Sequence, residues 1–162
     1  MIKDISADDI PECAHVIRES FKTVADEFGI TKENGGRFTA FATTAERLNW
    51  QYYTEGRIMR AYYEDGAVIG YYSLVLQEGG HCELSNLCVL PEHRHKDIGS
   101  ALIADAFDTA KENGRNIMTV GIVEENKVLR AWYESKGFVH TGTKKFDFFP
   151  FTCGYLEKSL SL

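Results

Sequence analysis

The sequence predicts an α+β fold: a mixed, mostly antiparallel central sheet flanked by helices. Three observations predict it. Residues 57–90 contain three β-prone runs, Arg57–Tyr63, Ala67–Leu76 and Cys82–Leu90, separated by short turn signals, as in an antiparallel meander. The third run passes through a short basic turn into a helical pattern from Gly99, and a further apolar run, Asn116–Val123, follows. Two strands joined through a helix lie parallel, so one parallel pair interrupts the antiparallel order. The chain of 162 residues suits one domain, 1–162, with a sizeable core.

Each element has a local reason. Met1–Ile5 alternates enough for a short strand. Ser6 to Asp9 supplies N-cap choices and an acidic first turn, and Pro11 falls near a helix start, where a missing N–H costs little. Ile10, Cys13, Ala14, Ile17 and Phe21 make one apolar face of a first helix that runs to Phe28, with Gly29 as its stop. Thr31–Ala42 reads as loop around Asn34-Gly35-Gly36. Thr43 and Glu46 have the spacing of a capping box for a second helix up to Gly56. Glu64-Asp65-Gly66 turns the first hairpin, and Gly79-Gly80 the second.

Pro91 ends the third strand of the meander. From Gly99 onward Leu102, Ile103, Ala106, Phe107 and Ala110 recur at helical spacing, and Asn113-Gly114 stops that helix. Asn126 opens a last helix on which Val128, Leu129, Trp132 and Tyr133 share a face, closed by Gly137. Two strand-like runs around Phe146-Asp147-Phe148-Phe149-Pro150-Phe151 complete the chain. That phenylalanine cluster reads equally as the wall of a binding site or as a dimer contact.

Composition excludes several functions. A net charge of −6 argues against a dedicated nucleic-acid binder. There is no apolar run of membrane-spanning length and no signal-peptide pattern at Met1. Cys13, Cys82, Cys88 and Cys153 form no CxxC pair and are expected as free thiols in a reducing cytoplasm. His93 and His95 lack cysteine partners at ligand spacing, so no metal site is expected.

The chemistry concentrates between Glu83 and Phe107. A strand feeds the turn His93-Arg94-His95-Lys96, which closes on Gly99-Ser100 at a helix start. Free backbone N–H groups and the positive end of a helix dipole then point at one spot, which suits a phosphate or pyrophosphate. Only Gly99 of a dinucleotide fingerprint is present, and no Gly-Lys-Ser/Thr follows, so neither the Rossmann nor the Walker pattern fits. Arg94-His95-Lys96-Asp97-Ile98-Gly99, after Val89-Leu90-Pro91, instead resembles the acetyl-CoA loop of the GNAT N-acetyltransferase family, with Asp97 where that family usually has glycine. Asn126, Tyr133 and Gly137-Phe138 resemble the family's second signature, Asn-x(6)-Tyr-x(3)-Gly-Phe. The resemblance covers Glu83 to Phe138, about half the chain, and the N-terminal half agrees only in its order of elements.

The resemblance implies the acyl-CoA N-acyltransferase fold and acetyl transfer from acetyl-CoA, as co-substrate without a metal, to an amine of a small molecule or peptide. It implies that the two parallel strands splay apart around the pantetheine arm. The turn Arg94, His95, Lys96, Asp97, Ile98, Gly99 and Ser100 would hold the pyrophosphate. Backbone groups of Leu87, Cys88 and Val89 would pair with pantetheine amides like an added strand. Asn126 would hydrogen-bond the pantetheine, or serve as an N-cap, or both. Cys88 reads as a small packing residue. Tyr133 resembles the general acid for the departing thiolate, against the alternative of a core aromatic. Glu83, eleven residues before Arg94, stands at the position of the catalytic glutamate in the histone-acetylating branch. A partly buried glutamate there would have a raised pKa and act as base; the alternative is a structural strand-end carboxylate. Phe28, Phe38 and Phe41 fall where the family shapes its acceptor pocket, or are core. A non-catalytic acyl-CoA-binding or sensor domain is the other class of function, and a homodimer is a common family state.

Overall fold

A computed structural model describes residues 1–160. Seven strands form one sheet: β1 (Ile2–Asp4), β2 (Ile58–Glu64), β3 (Ala67–Leu76), β4 (His81–Val89), β5 (Ile117–Val123), β6 (Val139–Lys145) and β7 (Thr152–Ser159). Their order is β1-β2-β3-β4-β5-β7-β6. Every neighbouring pair is antiparallel except β4 and β5, which are parallel and joined through helix α5 (Ile98–Glu112).

The first helix, α1, spans Ile10–Phe28 and ends where Gly29 takes a left-handed φ of 66°. Glycine adopts that conformation without a Cβ clash. Residues 31–42 depart from the expected loop and form two single-turn helices, α2 (Lys32–Gly35) and α3 (Thr39–Ala42). Thr31 and Asn34 hydrogen-bond each other's backbone in a capping box that nucleates α2. The next helix, α4 (Ala45–Trp50), is capped by Thr44, whose hydroxyl accepts from the Arg47 N–H, not by Thr43 as the Thr43/Glu46 spacing suggests. A π-helical turn, Gln51–Glu55, extends it to Gly56. The last helix, α6, spans Lys127–Ser135.

Strand alternation sorts the core into two layers. Tyr71 and Tyr72 are adjacent in β3 and both fully buried, so they face opposite sides of the sheet. Tyr71 shares its layer with Cys13 and Ile17 of α1, Leu48 of α4 and Cys88 of β4. Tyr72 shares its layer with Leu102 and Ala106 of α5, Tyr133 of α6, Met118 of β5 and Phe138 just after α6. A third cluster, Ala25, Ile30, Phe38 and Phe151, ties the end of α1 and the α2–α3 segment to the β6–β7 connection. No helix among the described residues is long and apolar enough to cross a membrane.

Candidate active site

The parallel pair β4–β5 is joined only from His81↔Ile117 to Leu84↔Val120, although both strands continue beyond it. A bulge causes the parting. The β3–β4 register shifts between Tyr71↔Cys88 and Ser73↔Ser85, and Asn86 there has a φ of 56°. Asparagine is one of the few residues that tolerate left-handed geometry, and an inserted residue bends its strand. The Leu90 N–H donates to Ile69 of β3. Alternation therefore turns the Leu87 and Val89 backbone away from β3, toward the side that β5 has left. Cys88 is the exception among these three. It lies opposite Tyr71 in the β3–β4 ladder, and its thiol is buried on the α1 side, which pushes its pKa up to about 12.

Beyond the parting lies a cleft of about 560 Å³, bordered by Leu87, Val89, Arg94, His95, Asp97–Ser100, Asn126, Val128, Trp132 and Tyr133. The turn between β4 and α5 is wound by His95 and Asp97, both at positive φ of 63° and 62°. Asp97 is the N-cap of α5 in this left-handed geometry, so aspartate holds the shape expected of glycine at that position. Among the described residues, none of the backbone N–H groups from His95 to Ser100 donates to a protein acceptor. Together with the helix dipole they make an anion-binding concavity.

Arg94 shapes this turn from within. Its Nε donates to the Val89 carbonyl (3.0 Å), one terminal nitrogen to Thr23 Oγ1 (3.1 Å) and the other to the Ser20 carbonyl (2.9 Å). The guanidinium thus fastens the turn to α1 and β4 with three of its five N–H donors, and the other two remain available at the cleft it borders. A different cation stands at the helix start: Lys136 Nζ donates to Ser100 Oγ at 2.9 Å.

Tyr133 is buried, with its ring edge-on to Trp132 at 5.1 Å and Phe138 at 5.3 Å. No side chain or backbone group among the described residues hydrogen-bonds its hydroxyl. Burial, then the neighbouring Cys88, pushes its pKa up, so it stays protonated well above neutral pH. Asn126 caps α6 by accepting the Leu129 N–H at 3.1 Å and borders the cleft, and its amide NH2 donates to no acceptor among the described residues. Val128 does not join the packed face of that helix: it is 83% exposed at the cleft mouth.

A second cavity, of about 360 Å³, lies on the other side of Tyr133. Tyr133, Asn126, Leu129, Leu87, Phe21 and Val24 line both, so the two meet at that wall. Glu83 lines this second cavity but is exposed, contrary to the partial burial expected of it; strand alternation puts it on the face of β4 opposite the buried Cys82 and Leu84. Ser85 Oγ donates to its carboxylate at 3.1 Å. Phe38, Phe149 and Phe151 form an apolar wall, with Phe149 and Phe151 stacked at 4.6 Å. Two phenylalanines of the 146–151 cluster therefore line a site, while Phe148 lies outside, 39% exposed. Phe28 and Phe41 pack behind Phe38 rather than lining the cavity.

Residues 21–138 match the family model described as the acetyltransferase (GNAT) family. The chain belongs to the GNAT acetyltransferase family. This acetyltransferase is 24% identical over 145 residues to an uncharacterized N-acetyltransferase of Lactobacillus delbrueckii subsp. lactis, covering 84% of this chain and 82% of that protein. Its fold superposes with a TM-score of 0.81 on the PaiA N-acetyltransferase of Thermoplasma acidophilum, solved with coenzyme A, at 23% identity and 98% coverage of both chains. It also resembles yncA of Salmonella typhimurium, solved with its cofactor acetyl-CoA, with a TM-score of 0.75 and 21% identity over all of this chain and 94% of that one.

In this acetyltransferase the structure brings Leu87, Cys88, Val89, Arg94, His95, Asp97–Ser100, Asn126 and Tyr133 to one cleft, whereas Lys96 does not line it. Sequence reasoning did not find Asn86, Lys136, Arg37, Cys153 or Tyr155. An asparagine inside a strand was the one available signal for the bulge. Arg37 and the β7 pair reach the site only through tertiary folding.

Proposed function

We propose that this N-acetyltransferase takes acetyl-CoA in the 560 Å³ cleft and a primary amine of a small molecule or peptide in the 360 Å³ cavity. The observation that carries this reading is the wall they share, from which the Tyr133 side chain meets both. The run of open N–H groups from His95 to Ser100 fits a pyrophosphate, and the open backbone side of Leu87 together with the N–H of Val89, whose carbonyl already accepts from Arg94, fits an extended amide chain. The Asn126 amide adds a donor beside them. Acetyl-CoA supplies an activated acetyl group and a thiolate leaving group.

The residues divide the proton work. A lysine-like amine has a pKa near 10.4, so only about one in a thousand is neutral at pH 7. Glu83, exposed in the cavity and oriented by Ser85, draws the excess proton away through water. Tyr133, kept neutral by burial, delivers a proton to the sulfur side. A reducing, cytoplasmic setting accompanies this reading, because Cys13, Cys82, Cys88 and Cys153 are all free thiols. An acceptor screen with acetyl-CoA that follows release of free thiol tests the activity; no thiol release with any class of amine would refute it.

Two substitutions test the parts. Glu83→Gln is expected to lower kcat/KM most at neutral pH, with recovery as rising pH supplies free amine. A pH-rate profile reads this directly, and a loss that is uniform across pH would reassign Glu83 to binding. Asp97→Gly keeps the left-handed turn and removes a carboxylate from the pyrophosphate site, so acetyl-CoA should bind several-fold tighter at low salt, with the gain shrinking as salt is added. Asp97→Asn should recover part of that gain. Unchanged Kd in both variants would place the Asp97 charge outside the cofactor's field.

A further inference from the structure

The 360 Å³ cavity has an uneven charge pattern. Its lining contains one carboxylate, Glu83, and one cation, Arg37. They come from different walls: Glu83 from the sheet, Arg37 from the segment between α2 and α3. Arg37 has no ion-pair partner among the described residues, and its guanidinium stacks 4.3 Å over the Phe148 ring. Stacking on a face leaves the in-plane N–H donors of a guanidinium free, in the fork that matches a carboxylate. The remaining lining is largely apolar, with Phe21, Val24, Phe38, Phe149 and Phe151.

We propose that the acceptor is an α-amino acid with an apolar or aromatic side chain, its carboxylate held by Arg37. This rests on the reading that the smaller cavity receives the amine. The amine then lies toward Glu83 and Tyr133, and the side chain against the phenylalanine wall. A polyamine fits the same cavity poorly, because its spread positive charges would meet a single carboxylate and an unpaired guanidinium. In the step itself the neutral amine nitrogen forms a bond to the acetyl carbon while the carbon–sulfur bond breaks, its electron pair staying on sulfur. The nitrogen gives up one proton on the Glu83 side, and the sulfur gains one on the Tyr133 side.

Initial rates of thiol release should be measured with L-phenylalanine, L-leucine, their amides, phenethylamine and spermidine. The amides keep the shape, remove the negative charge and have the less basic amine, so without a carboxylate-binding group they would be the better nucleophiles. The wild type is expected to favour each amino acid over its amide by about 10- to 100-fold in kcat/KM, the scale of a charge-assisted hydrogen-bonded pair, mostly through KM. Arg37→Gln should collapse that ratio toward one, and Arg37→Lys should restore only part of it. The proposal is overturned if spermidine or phenethylamine is the better acceptor, if no amino acid is acetylated, or if Arg37→Gln lowers all acceptors equally. A melting-temperature shift with acetyl-CoA, measured alongside, separates the outcomes. If the shift is present, only the acceptor assignment fails; if it is absent, the acetyltransferase reading of the site fails with it.

Discussion

Replacing Tyr133 by phenylalanine is expected to lower kcat by about 100-fold or more, the scale of general acid catalysis, with acetyl-CoA affinity little changed. The substitution keeps the ring and its edge-on contacts with Trp132 and Phe138. It removes only a hydroxyl that hydrogen-bonds nothing among the described residues, so no partner is left unsatisfied and the melting temperature should hold or rise slightly. That combination is diagnostic. A core aromatic would show no kinetic effect, and a folding defect would lower both activity and melting temperature. Single-turnover rates with acetyl-CoA, measured beside thermal unfolding, check both readouts. An unchanged kcat would return Tyr133 to the core and move the proton donor elsewhere.

The protein is expected to lose stability steeply in alkali, beginning well below the pH at which tyrosines titrate. Burial pushes the thiols of Cys13 and Cys88 up to about 12 and that of Cys82 up to about 11. An unfolded thiol titrates near about 8.5. Below that pH both states hold these protons and the stability is fully present. Above it the unfolded chain gives them up while the native one retains them, so stability falls with rising pH. Each thiol contributes a slope of about 1.4 kcal/mol per pH unit, and the loss runs on until the native thiols themselves ionise. Buried Tyr71, Tyr72 and Tyr133, all pushed up by burial, add to the loss above about pH 10. Urea titrations from pH 7 to 11 measure this. Replacing Cys13 and Cys88 by alanine should flatten the curve, whatever it costs at pH 7. A wild-type midpoint that is flat from pH 8 to 10.5 would contradict the account.

The elements with regular periodicity were legible in the sequence. The first helix runs Ile10–Phe28 with Gly29 as its stop, and β3 occupies Ala67–Leu76, both as the pattern predicts. The parallel β4–β5 pair followed from the helix between them. What the sequence hid was decided by tertiary packing. Residues 31–42 look like loop because α2 and α3 are each a single turn, too short to show a period; they are held by the Thr31–Asn34 box and the packing of Phe38 on Phe151. Val128 has helical spacing with Leu129 and Trp132, yet it projects into solvent at the cleft mouth. The cleft itself depends on Asn86, where a left-handed residue in mid-strand moves β4 off β5. Arg94 was legible as part of a motif but not in its use, because three acceptors on α1 and β4 come to it only in the fold.

The central claim is that the strand–turn–helix from Leu87 to Ser100 is built around acetyl-CoA. Unfolding of the wild-type protein with and without acetyl-CoA tests it most directly, since a ligand that binds only the native state stabilises it by mass action. At 100 times Kd the gain should be about 2.7 kcal/mol, growing with the logarithm of ligand concentration and shrinking as salt screens the phosphate contacts. An unfolding midpoint that does not move at millimolar acetyl-CoA would contradict the claim.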